Sequence, residues 1–277
     1  MNRSNVIAMV VLGLVLVGST AQVQGDTKYF CADTDNTWRA NSGQNWRTFG
    51  GGQDCDDGTR VDAPTASDRA VIVSGKTCNI ASNAVADSLD VESDATLNIQ
   101  GATGNSLTLD DDGANGTTIT GTLNLLGANS LLAFTTNDQT IDGAGKIVGQ
   151  HNAAQITIEV LKTLTSETII EGNLQITGAG IFRNHGTVHA NVAGTLLLDC
   201  NSFDDDSTAL WKISSSSSAI LQIDVTSTTA PDLDGAFEIL NGGTLDVDSE
   251  GLQTTGSLLF RNGWINVAAG SSVTFSE

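Results

Sequence analysis

The sequence predicts an all-β protein: a single-stranded, right-handed parallel β-solenoid (β-helix) of about nine turns with an N-terminal cap. Three observations carry this expectation. A four-residue pattern of any residue, apolar, usually polar, apolar returns about every 25 residues. Gly, Asn, Asp and Ser gather between its copies, where turns need them. No apolar period of 3.6 residues runs long enough for a sizeable helix.

The elements follow in chain order. Residues 1–25 read as a signal peptide. Arg3 supplies the positive start, residues 6–17 are apolar or Gly, and Gly18, Ser19, Thr20 and Ala21 supply small residues for cleavage. Cleavage after Ala21 or Gly25 leaves a mature chain starting at Gln22 or Asp26. The apolar run is too short to span a bilayer, and no later stretch approaches that length, so the mature chain is not expected to insert into a membrane. These features lead to the expectation of a protein outside the cell, secreted or at the cell surface.

Residues 26–69 form the expected cap. They hold Trp38, Trp46, Phe49, the run Gly50-Gly51-Gly52 and Pro64. The first turn of a solenoid exposes a strand edge and an open core, which two tryptophans would cover. The alternative use of those rings is a stacking platform for sugars.

Residues 70–277 form the expected solenoid, with repeat strands starting at Ala70, Thr96, Thr122, Lys146, Asn173, Thr195, Ile220, Thr244 and Ser272. Alternation puts Leu, Ile and Val inward and Thr, Asn and Gln outward. One such turn cannot bury its own apolar face, whereas stacked turns bury a continuous core. Leu123, Leu174, Leu196 and Leu245 are therefore expected in that core, stacked in register. Parallel connections favour right-handed winding. An antiparallel sandwich is the competing architecture, but it does not require the same pattern to return at this interval.

The stretches Asn36-Thr37-Trp38, Asn45-Trp46, Pro64-Thr65-Ala66-Ser67-Asp68-Arg69-Ala70-Val71-Ile72, Ser88-Leu89-Asp90-Val91 and Ala95-Thr96-Leu97 resemble the start of β-helical repeat regions in bacterial secreted and surface proteins. Such regions occur in adhesin-like and autotransporter-passenger-like proteins, and pectin-lyase-like solenoids share the architecture. The segment Ile181-Phe182-Arg183-Asn184-His185-Gly186-Thr187-Val188 resembles their turn motifs. The resemblance implies a fold and a cell-surface setting more than an activity.

All four cysteines lie beyond the leader, which fits an oxidising compartment. Cys31 and Cys55 are the expected disulfide, with Cys55–Cys78 as the alternative. Cys78 and Cys200 stand about five turns apart, roughly 24 Å along the stack, too far to bridge. Cys78 can then serve as a buried thiol.

The chain carries 12 basic and 32 acidic residues, a net charge of −20. That surface repels nucleic acid, whose phosphates need Lys and Arg. The acidity serves solubility or cation binding. Asp110-Asp111-Asp112-Gly113-Ala114-Asn115-Gly116 offers oxygen ligands around a turn glycine, so Asp110, Asp112 and Asn115 are calcium candidates. Looser versions occur at Asp33-Thr34-Asp35-Asn36 and Asp54-Cys55-Asp56-Asp57-Gly58, and Asx turns between strands are the favoured explanation of all three. No other cofactor is indicated.

No catalytic constellation stands out, and no enzymatic activity is expected. Asp204-Asp205-Asp206 reads as a solvated turn, and His185 and His189 lie on a strand–turn segment where a spacing of four does not converge on one metal. The expected function is a secreted or cell-surface structural or adhesive module whose partner is a surface glycan or another protein chain. One alternative is a β-helix that binds or degrades polysaccharide. Another is an ice-binding solenoid, suggested by outward Thr96, Thr122, Thr195 and Thr244 on one face and weakened by Lys146, Leu197 and Ile220 in the same ladder. The C-terminal turn is expected to leave an open edge that permits end-to-end self-association.

Overall fold

A computed structural model describes residues 25–31, 36–38, 45–49, 55–56, 58–101, 105–110, 116–214, 218–224, 232–248, 251–269 and 271–275. Every regular element among them is a β-strand. The strands alternate buried and part-exposed residues, as a sheet with one apolar side requires. They stack in parallel into a three-faced solenoid.

The first face begins with Thr27–Phe30, Arg69–Ile72, Ser88–Val91, Thr117–Ile119, Gln139–Asp142 and Thr163–Ser166. It continues through the C-terminal parts of Ile169–Asn184 and Gly194–Asp205. Asp232–Leu233, Leu252–Thr254 and Val273–Phe275 pair in the same parallel sense further along.

The second face holds Thr77–Ile80, Thr96–Ile99, Thr122–Leu125, the starts of Lys146–Ile158 and Ile169–Asn184, then Thr187–Ala190, Leu210–Ser214, Ala236–Leu240 and Leu258–Arg261. The third face holds Ala84–Ala86, Ser106–Leu109, Leu131–Phe134, the end of Lys146–Ile158, the middle of Ile169–Asn184, the start of Gly194–Asp205, then Ala219–Ile223, Thr244–Val247 and Trp264–Val267. Nine second-face levels are joined by eight pairings, so the chain makes about eight full turns. The nine expected repeat starts lie on more than one face, so their number differs from the number of windings.

The register corrects the expected repeat. Thr96, Thr122 and the start at Lys146 stack on the second face. Thr195, Ile220 and Thr244 stack on the third, and Ala70 lies on the first. Lys146 pairs with Ile169 and not with a strand starting at Asn173. All three faces use the same alternating pattern, so spacing alone passes from one face to the next unnoticed. Leu123, Leu174, Leu196 and Leu245 are all fully buried. Leu123, however, packs between Leu97 and Ile147 on the second face, while Leu196, Leu221 and Leu245 form a third-face stack. The proposed threonine ladder is likewise split: Thr96 and Thr122 stand on one face, Thr195 and Thr244 on another.

Antiparallel strands close the N-terminal end. Thr27–Phe30 is already a first-face rung, paired in parallel with Arg69–Ile72. Trp46–Thr48 runs antiparallel to it, and Thr59–Val61 antiparallel to Trp46–Thr48. Residues 36–38 cover the edge of the first second-face strand: Asn79 N–H donates to Asn36 O at 2.6 Å, and Trp38 N–H donates to Asn79 O at 2.8 Å. Trp46 meets Phe30 edge-on at 5.3 Å and Trp38 at 4.6 Å. Both tryptophans are at least 97% buried, so neither offers a face to a sugar. Cys31 and Cys55 are joined by a disulfide with their Cα atoms 5.5 Å apart. Cys78 and Cys200 are buried thiols.

Candidate functional site

The second face gathers the outward polar side chains that the sequence scatters. Asn79, Asn98 and Asn124 stand directly above one another. Asn124 Nδ2 donates to Asn98 Oδ1, and Asn98 Nδ2 to Asn79 Oδ1, both at 2.8 Å. Thr77, Thr96 and Thr122 form the parallel row beside them.

Past Asn124 the same row continues as Val148, Glu171, His189, Lys212 and Glu238. Lys146 Nζ meets Glu171 Oε1 at 2.8 Å, and Asn191 Nδ2 donates to Glu171 Oε2 at 3.0 Å. Lys212 and Glu238 pair at 3.1 Å. His189 Nε2 shares a 2.7 Å hydrogen bond with Ser214 Oγ. Burial, then the Lys212 ammonium, holds the His189 imidazole below its ordinary value against the pull of Glu171 and Glu238. The ring is therefore neutral at neutral pH and serves as a hydrogen-bonding group.

Two depressions flank this row. One, of about 300 Å³, lies at the corner with the first face, against Thr96, Thr120, Thr122, Gly145, Lys146 and Ile169. The other, of about 440 Å³, lies at the opposite corner, against Gly149, Gln150, Glu171, Gly172, Asn173 and Asn191. Both border the same two neighbouring strands, so the Lys146–Glu171 ion pair is the saddle between them. From residue 145 to 149 is four strand residues, roughly 13 Å. Glycine lets the two strands approach closely beside the second depression. Gly172 adopts φ +99°, and a Cβ there would lie 2.2 Å from Gly149 O. The side-chain carbonyl oxygens of Asn173 and Asn191 are shielded and accept no hydrogen bond among the described residues.

The arrangement offers a carboxylate, an ammonium, an imidazole and several amides along a shallow track. Such a mixture suits a ligand with many hydroxyl groups. It does not suit hydrolysis by a carboxylate pair. Glu171 and Glu238 are separated by three strand spacings, about 14 Å, beyond both glycosidase geometries.

The residues expected from the sequence fall elsewhere. Asp110 follows the third-face strand Ser106–Leu109 and accepts a 3.4 Å hydrogen bond from Thr135 Oγ1. Asp112 and Asn115 lie outside the described residues. His185 sits in a turn, 3.7 Å from Asp206, and shares no site with His189. The Glu171–His189–Lys212 row escaped the sequence reading because its members come from turns of unequal length. Only the register brings them together.

Fold and face define a three-faced parallel β-solenoid with a polar second face. Comparison with protein-family models, with curated proteins and with solved structures returned no match.

Proposed function

We propose that this chain is an exported structural or adhesive β-solenoid module that holds a surface glycan on its second face. The observation that carries this reading is the Lys146–Glu171 saddle with a depression on either side. An elongated, hydroxyl-rich chain lying along the strand direction would cross the ion pair and reach both depressions. The rigid stack supplies preorganisation, so little ordering entropy opposes binding. Residues 1–25, with Arg3, the apolar run and the small residues that follow, support export to the outside of a bacterial cell. The Cys31–Cys55 disulfide fits the same compartment.

A screen of soluble and insoluble glycans tests the proposal. At least one should bind, and Lys146→Ala and Glu171→Gln should each weaken it about tenfold or more while the melting curve stays in place. Binding unaffected by both variants would move the ligand to another face. No binding to any glycan would leave a protein chain as the adhesive partner and remove the glycan reading.

A further inference from the structure

We propose that the C-terminal end of the solenoid is a docking surface for a second copy of this chain, joined tail to tail about a two-fold axis. Inward positions of the last turn are the observation. Leu258 and Phe260 continue the buried positions of Phe237 and Ile239, and Val267 continues that of Val247. One level earlier these residues are at most 1% exposed, whereas Leu258 is 37% exposed, Phe260 48% and Val267 42%. Leu259 and Trp264 point outward at the rim, 43% and 67% exposed. Most of the large exposed apolar side chains among the described residues belong to this one end. So wide an apolar plate marks an interaction site.

The backbone is equally open. Leu258–Arg261, Trp264–Val267 and Val273–Phe275 each pair on one edge only among the described residues. Free edges template the addition of strands. Charge favours a second copy as the occupant. Residues 251–275 contain no Asp or Glu and one base, Arg261, in a chain of net charge −20. A charged partner finds little here to recognise. A copy of the chain offers the same apolar plate and the same edges, with Glu277 as the one acidic residue after position 250. An isologous contact of this kind closes as a dimer. At the other end the antiparallel Trp46–Thr48 and Thr59–Val61 strands and the buried Trp38 and Trp46 cover the core, so that end offers no matching apolar plate for head-to-tail growth.

Geometry selects the axis. The chain climbs one strand spacing per turn, so the second-, third- and first-face edges end at successively higher levels. A two-fold axis through the third face sets the middle edge against itself and the low edge against the high one. All gaps are then equal. Trp264–Val267 meets its copy antiparallel, and Leu258–Arg261 meets the partner's first-face edge.

Sedimentation of the purified chain, in salt of about 0.5 M to screen the net charge, tests the proposal. A dimer is expected. Trp264→Asp, at an exposed rim position, should raise its dissociation constant at least about tenfold without changing the circular dichroism. Asn266→Cys should cross-link two chains on oxidation, while Val192→Cys, on a face away from the end, should not. A monomer at about 1 mM would overturn the proposal. So would a dimer indifferent to Trp264→Asp and not cross-linked at position 266, or the growth of fibres.

Discussion

At the scale of single residues, buried ionisable groups decide where the fold is sensitive. Asp68 is 6% exposed and anchors the N-terminal end. Its carboxylate meets Lys28 Nζ at 2.8 Å and accepts hydrogen bonds from Asp26 N, Thr65 N and Thr65 Oγ1. Burial pushes the carboxyl up, but the bonds from Lys28 and Thr65 outweigh it and leave the group below the usual 3.8. A lowered native value means stability that is complete above the unfolded value and lost as pH falls through the native one. Asp68→Asn, which strands the Lys28 ammonium, should therefore cost about 3 kcal/mol at neutral pH. Denaturant titrations should show that gap narrowing in acid. A gap independent of pH would place the cost in packing instead of charge. Cys200 shows the opposite sign, since burial pushes its thiol up to about 12 and keeps it an apolar filler.

At the scale of elements, each face is a set of ladders whose rungs support one another. Leu196 packs beneath Leu221 in the third-face stack and is fully buried. Leu196→Ala should cost about 2–5 kcal/mol, because the rigid turns on either side cannot collapse into the space. Chemical denaturation reads this directly, and a loss below about 1 kcal/mol would mean the stack repacks. The strand pattern here was fully legible, since alternation in Thr96–Ile99 or Thr244–Val247 needs no tertiary information. The face each strand joins was not legible. A turn from second face to second face takes 26 residues between Thr96 and Thr122, but 18 between Ile169 and Thr187. Turn lengths vary because surface loops tolerate insertion at little entropic cost.

At the scale of the whole molecule, the net charge of −20 acts on a parallel stack that holds like charges one strand spacing apart. Asp199 and Asp224 follow the paired Leu198 and Ile223; burial, then the neighbouring Asp224 carboxylate, raises Asp199 above its ordinary value. Asp246 is raised likewise by burial and then by Asp248. Raising salt from about 10 mM to about 500 mM should therefore raise the melting temperature by screening this repulsion. A melting temperature that falls with salt would show that ion pairs such as Arg69–Asp90 and Lys146–Glu171 outweigh it.

By itself the sequence determined the class of fold and the chemistry of the side chains. Alternating apolar residues at each strand, with turn residues between, leave stacking as the way to bury one face of every turn. It also offered Cys31–Cys55 as the expected bridge with Cys55–Cys78 left open, and the structure joins Cys31 to Cys55. Only the tertiary structure decided which strands share a face, and hence that Lys146, Glu171, His189 and Lys212 form one row. It also decided that Trp38 and Trp46 fill the N-terminal end while Trp264 stands exposed at the other. The reason is physical: strand periodicity is a local property of the backbone, whereas register between turns depends on loops whose lengths follow no period.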